Sequence, residues 1–187
     1  MSPDEDLAAW AVELGRSHIS EELPARWAHD EGVIAKAREV AHLVGADADL
    51  LVAAAAVHDI GHAAAGRNTG FQPLDSARLL QRLGAPKRLV DLVACNACGW
   101  IEAELRGLGD DYAELSDEGG PTRDALWWCC LTTSASGGPT TLDGRAAGWA
   151  SAYADDPIIA QWFARAEPEL RAAIGRTESR LRVGATP

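Results

Sequence analysis

Apolar positions recur at helical spacing along almost the whole chain. Leu7, Trp10, Ala11 and Leu14 share one face of a helix predicted over about Asp4 to Leu14, followed by a connection from Gly15 to Leu23. Pro24 suits the first turn of a long helix that Gly45 ends. On it His29, Val33, Ala37, Val40 and Val44 form a stripe, which turns His29 inward and leaves His42 to solvent. Asp47 is placed to cap the next helix. That helix carries no polar side chain from Leu50 to Val57, so burial is expected, and it runs straight into His58-Asp59. Ala63 to Pro73 reads as a loop rich in glycine and small residues beside the doublet, and Leu74 to Leu83 as a short helix stopped by Gly84. Pro86 starts another helix, which runs through Leu89, Val90, Leu92 and Val93 into Cys95-Asn96-Ala97-Cys98. Gly107 to Arg123 is an acidic loop of a length suited to a lid. Asp124 to Thr133 is apolar again, Ser134 to Pro139 turns, and a last helical part from Leu142 to about Arg182 closes an all-α bundle. No internal repeat, linker or low-complexity run divides it.

Composition agrees and narrows the partners. Hydrophobic residues make up 47% of the 187, with much Ala and Leu and few β-branched runs, as in a helical bundle. A net charge of −11 argues against nucleic acid and against an anionic membrane surface. An anionic substrate would be repelled too, unless a basic group or a metal reverses the field locally. No stretch reaches 18 apolar residues, and Met1 to Asp6 is acidic and polar, unlike a signal peptide. The expected location is cytoplasmic, where the four cysteines act as thiols or metal ligands rather than as disulfides.

The candidate chemistry starts at His58-Asp59. An imidazole and a carboxylate at the end of a buried helix are good ligands for a hard or borderline metal, and a buried Asp needs a partner or an ion. Four segments carry a wider resemblance: Arg26-Trp27-Ala28-His29, Val57-His58-Asp59-Ile60-Gly61, the run Pro73-Leu74-Asp75-Ser76-Ala77-Arg78-Leu79-Leu80, and the run from Glu102 to Leu108. In order and spacing they resemble the HD-domain superfamily of helical metal-dependent phosphohydrolases and their relatives. The resemblance covers roughly Ser20 to Tyr153. It implies a single compact HD-type domain over 1–187, with a core at about 20–153 and helical extensions at both ends.

What the resemblance implies for the site is a metal held in the pattern H…HD…D. His29 matches the first ligand and His58-Asp59 the doublet. The final Asp of the pattern precedes a hydrophobic residue and Thr-Thr, but here Cys130 stands before Leu131-Thr132-Thr133. Two-metal members add histidines where this chain has Gln72, Cys95 and Asn96. The expected ligands are therefore His29, His58, Asp59 and, if it ionises, Cys130, around one divalent Zn, Fe or Mn, with a metal-free protein as the alternative. Asp59, Arg26 and His62 are the expected catalytic groups, with Arg26 or His62 steadying a phosphate. His62, one turn from His58, also reads as a solvent-facing loop residue.

Three functions follow. One is a divergent phosphohydrolase acting weakly or not at all on a small phosphate ester or nucleotide, its metal site impaired by the lost Asp. The second is a non-catalytic HD-fold module that binds a ligand or a protein. The third is a retooled Zn or Fe site using Cys130, with Cys95 as a further candidate ligand. A di-iron oxygenase is disfavoured because the second-metal ligands are absent. Cys95-Asn96-Ala97-Cys98 lacks the strand–helix setting of a redox CxxC. Cys129 and Cys130 point about 100° apart on a helix. Trp100, Trp127 and Trp128 flank the altered positions and are expected to fill the space that metal and water would take. The acidic residues of the 107–123 loop read as a solvated face. The oligomeric state stays open.

Overall fold

The structure is a computed structural model that describes residue 3 and residues 5–184. Among the described residues it holds nine α-helices: α1 (Leu7–Ile19), α2 (Pro24–Val40), α3 (Ala48–Val57), α4 (Gln72–Arg82), α5 (Lys87–Ala94), α6 (Gly99–Leu105), α7 (Gly120–Leu131), α8 (Leu142–Ala152) and α9 (Pro157–Gly184). The fold is all-α, and no described helix is long and apolar enough to cross a membrane.

The bundle is organised around α3. Leu51 and Ala53 to Val57 are fully buried, and α1, α2, α5 and α7 pack around this helix. A run of alanines gives it a thin profile, so neighbouring backbones approach closely. Gly15 makes the closest approach, because a Cβ there would sit 2.2 Å from the Ala56 carbonyl oxygen. This contact explains why the expected connection at Gly15 is instead helix. α1 continues to Ile19 because the missing side chain is what the α1–α3 crossing requires. Asp4 lies outside the described residues; Asp6 caps α1, accepting from Ala9 N–H at 2.9 Å.

Three other expectations change. Asp47 stands before α3 but makes no cap; its carboxylate takes Arg88 Nη1 at 2.6 Å and Thr122 Oγ1 at 2.7 Å. The helix from Pro86 does not run through Cys98. Ala97 and Cys98 have φ of 49° and 60°, and the chain turns to start α6 at Gly99, where a Cβ would lie 2.3 Å from the Ala94 oxygen. The acidic 107–123 segment is no lid over the site. Tyr112 is buried and donates to the Ala94 carbonyl at 2.9 Å, Arg78 pairs with Asp111, and Arg88 holds Glu118 at 2.6 Å. Its last four residues, 120–123, already belong to α7.

The long C-terminal helix α9 is tied to α7 by charge as well as packing. Asp124 is fully buried and receives Arg123 Nη2 at 3.0 Å, Arg176 Nε at 2.8 Å and Arg180 Nη1 at 3.1 Å. Removing the carboxylate leaves Arg180 unpaired beside a buried position and Arg123 and Arg176 sharing Glu169. Asp124→Ala is expected to lower the unfolding free energy by about 3 kcal/mol. Urea denaturation measures this, and an unchanged midpoint would show that the arginines are held elsewhere.

Candidate metal centre

Two helices bring the site together. α2 carries Arg26, His29 and Asp30, and the C-terminal end of α3 carries His58 and Asp59. One ligand atom from each of His29, Asp30, His58 and Asp59 lies within 4.8 Å of all the others, and all four residues are buried. His58 Nε2 is 4.0 Å from Asp30 Oδ1 and 3.7 Å from Asp59 Oδ1, and the two rings meet edge-on at 5.5 Å.

The histidines are oriented by backbone carbonyls. His29 Nδ1 donates to the Ser134 carbonyl at 2.9 Å, and His58 Nδ1 donates to the Ala55 carbonyl at 2.9 Å. Both bonds put the proton on Nδ1 and leave Nε2 bare toward the cluster, as a metal-ligating imidazole requires. Ser134 reaches His29 because two glycines let the chain approach α2. A Cβ on Gly32 would sit 2.3 Å from the Gly137 oxygen, and one on Gly137, at φ +83°, 2.3 Å from the Ala28 oxygen. Burial, with His58 close by, pushes the His29 pKa down to about 4, so its ring is neutral and available as a donor.

The two carboxylates differ. Asp59 Oδ2 accepts from Arg26 Nη1 at 2.6 Å. Burial alone would raise its pKa, but the positive charges facing it, His58 in its protonated form and the Arg26 guanidinium, outweigh that and hold it well below the usual range. Asp30 is fully buried, and neither of its oxygens has a hydrogen-bond partner. Burial, with Asp59 adding repulsion, raises its pKa to about 9. The other buried carboxylates among the described residues are satisfied. Asp75 accepts the backbone N–H groups of Asn68, Thr69 and Gly70 at 2.9–3.1 Å, and Asp124 has its three arginines. Only Asp30 is left bare.

This donor set fits a divalent ion. Ligand atoms around a first-row ion with bonds of about 2.1 Å lie roughly 3–4 Å apart. Two bare imidazole nitrogens, one ion-paired carboxylate and one orphaned carboxylate converge to within 4.8 Å of one another, slightly wider than that spacing and closed by a small inward shift of the side chains.

The other expected residues fall around this group. Arg26 and His62 line the cavity beside it, a space of about 240 Å³, with His62 Nε2 4.0 Å from Asp59 Oδ1. Burial lowers the His62 pKa, against the pull of Asp59. Cys130 lines the cavity too but stands outside the four-donor group. Burial raises its thiol pKa well above the ordinary value, and its Sγ accepts from Asn96 Nδ2 at 3.6 Å. Gln72 turns its amide onto the His58 carbonyl and Ser76 Oγ. Cys95 is buried away from the cavity. Trp100, Trp127 and Trp128 do not fill the site; the cavity is open and none of the three lines it. Arg123 covers the Trp127 ring at 4.2 Å and Lys36 the Trp128 ring at 5.0 Å; Trp127 is fully buried in the core and Trp128 packs against it from the edge.

Asp30 and Arg145 are the residues that sequence reasoning passed over. For Asp30 a signal exists: with Ile34 and Ala37 it forms an i, i+4, i+7 row, and both neighbours on that row are buried. Arg145 lies on α8, in no motif, yet lines the same cavity.

The HD domain family model matches residues 26–128, more than half of the chain. The chain belongs to the HD domain family, a superfamily of metal-dependent phosphohydrolase-like proteins. No curated protein and no solved structure matches it.

The Asp30 burial has a measurable sign. An acid whose pKa rises on folding adds stability below its unfolded value and loses it as pH climbs through its folded value. For Asp30 that window runs from about 3.9 in the unfolded chain to about 9 in the fold. His29, with its pKa lowered to about 4, acts oppositely, and only below its ordinary 6.5. Between pH 7 and 9 the metal-free protein is therefore expected to lose stability through Asp30. Asp30→Asn is expected to flatten that loss and to be more stable at pH 8.5 by on the order of 1–3 kcal/mol. Urea melts of chelator-treated protein check this; an equal slope in the variant would assign the loss to another group.

Proposed function

We propose that the chain is a phosphohydrolase that works with one divalent ion, held by His29, Asp30, His58 and Asp59, on a small phosphate ester. The observation that carries this reading is the orphaned Asp30. A fully buried carboxylate without a partner costs several kcal/mol, and a cation in the cluster removes that cost.

On this reading the carboxylate missing at Cys130 has been relocated. Asp30 comes from α2 instead of α7, and the set remains two imidazoles with two carboxylates. Such a set suits Zn, Fe or Mn better than Mg. A bound ion would polarise the phosphoryl group and lower the pKa of a water. The protein's own groups do the rest. Arg26 holds Asp59 in place and presents the remaining donors of its guanidinium to a phosphate oxygen. His62, neutral and half-buried at the cavity edge, accepts or passes a proton at Nε2. The net charge of −11 supports a small ligand over a nucleic acid or membrane.

Plasma mass spectrometry of untagged protein, purified without chelator or added metal, tests the site directly. About one equivalent of Zn, Fe or Mn per chain is expected, lost in Asp30→Asn and in His58→Ala and retained in Cys130→Ser. Hydrolysis of a generic phosphate monoester should fall by on the order of 10²-fold or more in Asp59→Ala. Metal retained without Asp30 and lost without Cys130 would instead make the centre a thiolate site.

A further inference from the structure

Arg145 is out of place in so acidic a chain. The half-buried and buried arginines Arg26, Arg78, Arg106, Arg123, Arg176 and Arg180 each hold a carboxylate. Arg145 has none: its Nε is buried without a partner, and its guanidinium lies 5.2 Å from the centre of the Trp149 ring. Together with Arg26 it lines both the 240 Å³ cavity beside the donor cluster and a second, larger cavity of about 730 Å³ on the outer side. His29, Trp149 and Tyr153 line both as well, so the two cavities adjoin along a wall that carries both arginines.

The outer cavity is mainly apolar, walled by Leu23, Pro24, Trp149, Ala152 and Tyr153. Trp149 is a fixed platform. Its ring meets Trp162 edge-on at 5.1 Å and Phe163 at 6.1 Å, and Trp162 Nε1 is bonded to the Ala97 carbonyl at 3.1 Å. The carboxylate at this wall, Glu22, is tied to Ala64 N–H at 2.9 Å and would repel a chain of phosphates.

Charge sets the size of the anion. Asp30 and Asp59 together cancel a divalent ion, and Arg26 and Arg145 leave two positive charges. A phosphate monoester carries close to two negative charges at neutral pH. A polyphosphate would bring more, and the next cation in the inner cavity, Arg106, is already committed to Glu102 at 2.8 Å and Asp156 at 2.9 Å. We infer that the site takes a phosphate monoester dianion whose organic part is flat and apolar, with Arg145 gripping the phosphoryl group and Trp149 stacking on the organic part. This rests on the metal-dependent phosphohydrolase reading above.

The test is calorimetric binding of three non-hydrolysable probes to the metal-loaded chain, with metal content measured on every sample. Phenylphosphonate is expected to bind about tenfold tighter than methylphosphonate, which lacks the ring, and about tenfold or more tighter than benzenesulfonate, which keeps the ring with one charge fewer. Arg145→Gln should weaken phenylphosphonate at least about tenfold with metal content unchanged, and Arg145→Lys should recover part of the loss. Trp149→Leu should bring the two phosphonates to within about threefold of each other while methylphosphonate binding holds. Equal affinity of the wild type for phenyl- and methylphosphonate, or Arg145→Gln binding like the wild type, overturns the inference. Phenyl phosphate hydrolysis is followed separately. Arg145-dependent phosphonate binding without turnover removes the hydrolase reading and keeps the anion subsite. Turnover with Arg145-independent binding does the reverse.

Discussion

Two carboxylates taken out of water side by side repel each other, and a fold that buries both must supply positive charge between them. Asp59 has Arg26; Asp30 has nothing of its own. Much of the surrounding structure holds this arrangement in place. The alanines of α3 let α1 and α2 close in, Gly32 and Gly137 bring the Ser134 carbonyl onto His29, and Gln72 with Ser76 pins the His58 backbone. The imbalance at Asp30 is not slack in the packing, because His29, His58 and Asp59 beside it are each held by a bond of their own.

The contrast with Asp75 and Asp124 shows how unusual that is. Asp75 spends its charge on three backbone amides and so orders the loop that leads to Phe71 in the cavity wall. Asp124 spends its charge on three arginines and so fixes α9. Both are closed electrostatic units. Asp30 is an open one, and it opens onto the ring nitrogens that the backbone has left unprotonated.

Much of the fold was legible in the chain, because helical periodicity reports directly which face is buried. His29 inward, His42 outward and α3 buried from Leu51 to Val57 all follow from it. Local rules failed where tertiary contact decided. Gly15 reads as a break but is an approach to Ala56; Asp47 reads as a cap but is drawn to Arg88; the Ala97–Cys98 turn leaves no mark in hydrophobic pattern. At the site, the motif drew attention to Cys130, the position where an Asp was missing. The fourth residue of the buried cluster, Asp30, lies beside His29, on a helix row that the stripe through His29 obscures. Arg145 could not be found from spacing at all, since it reaches the cavity only through the fold of α8 against α9.

The four donors lie within the part of the chain that the family model matches, whereas Arg145, Trp149 and Trp162 lie beyond it, on α8 and α9. On the proposed reading, the metal donors and the contacts to the organic group are thus carried on consecutive stretches. Asp124 and its arginines anchor α9, and the outer cavity shares His29 and Arg26 with the donor site, so its walls from α8 and α9 can vary only where they leave those two residues in place. On that plan, substitutions in the last third of the chain change what the outer cavity admits while the four donor residues stay as they are.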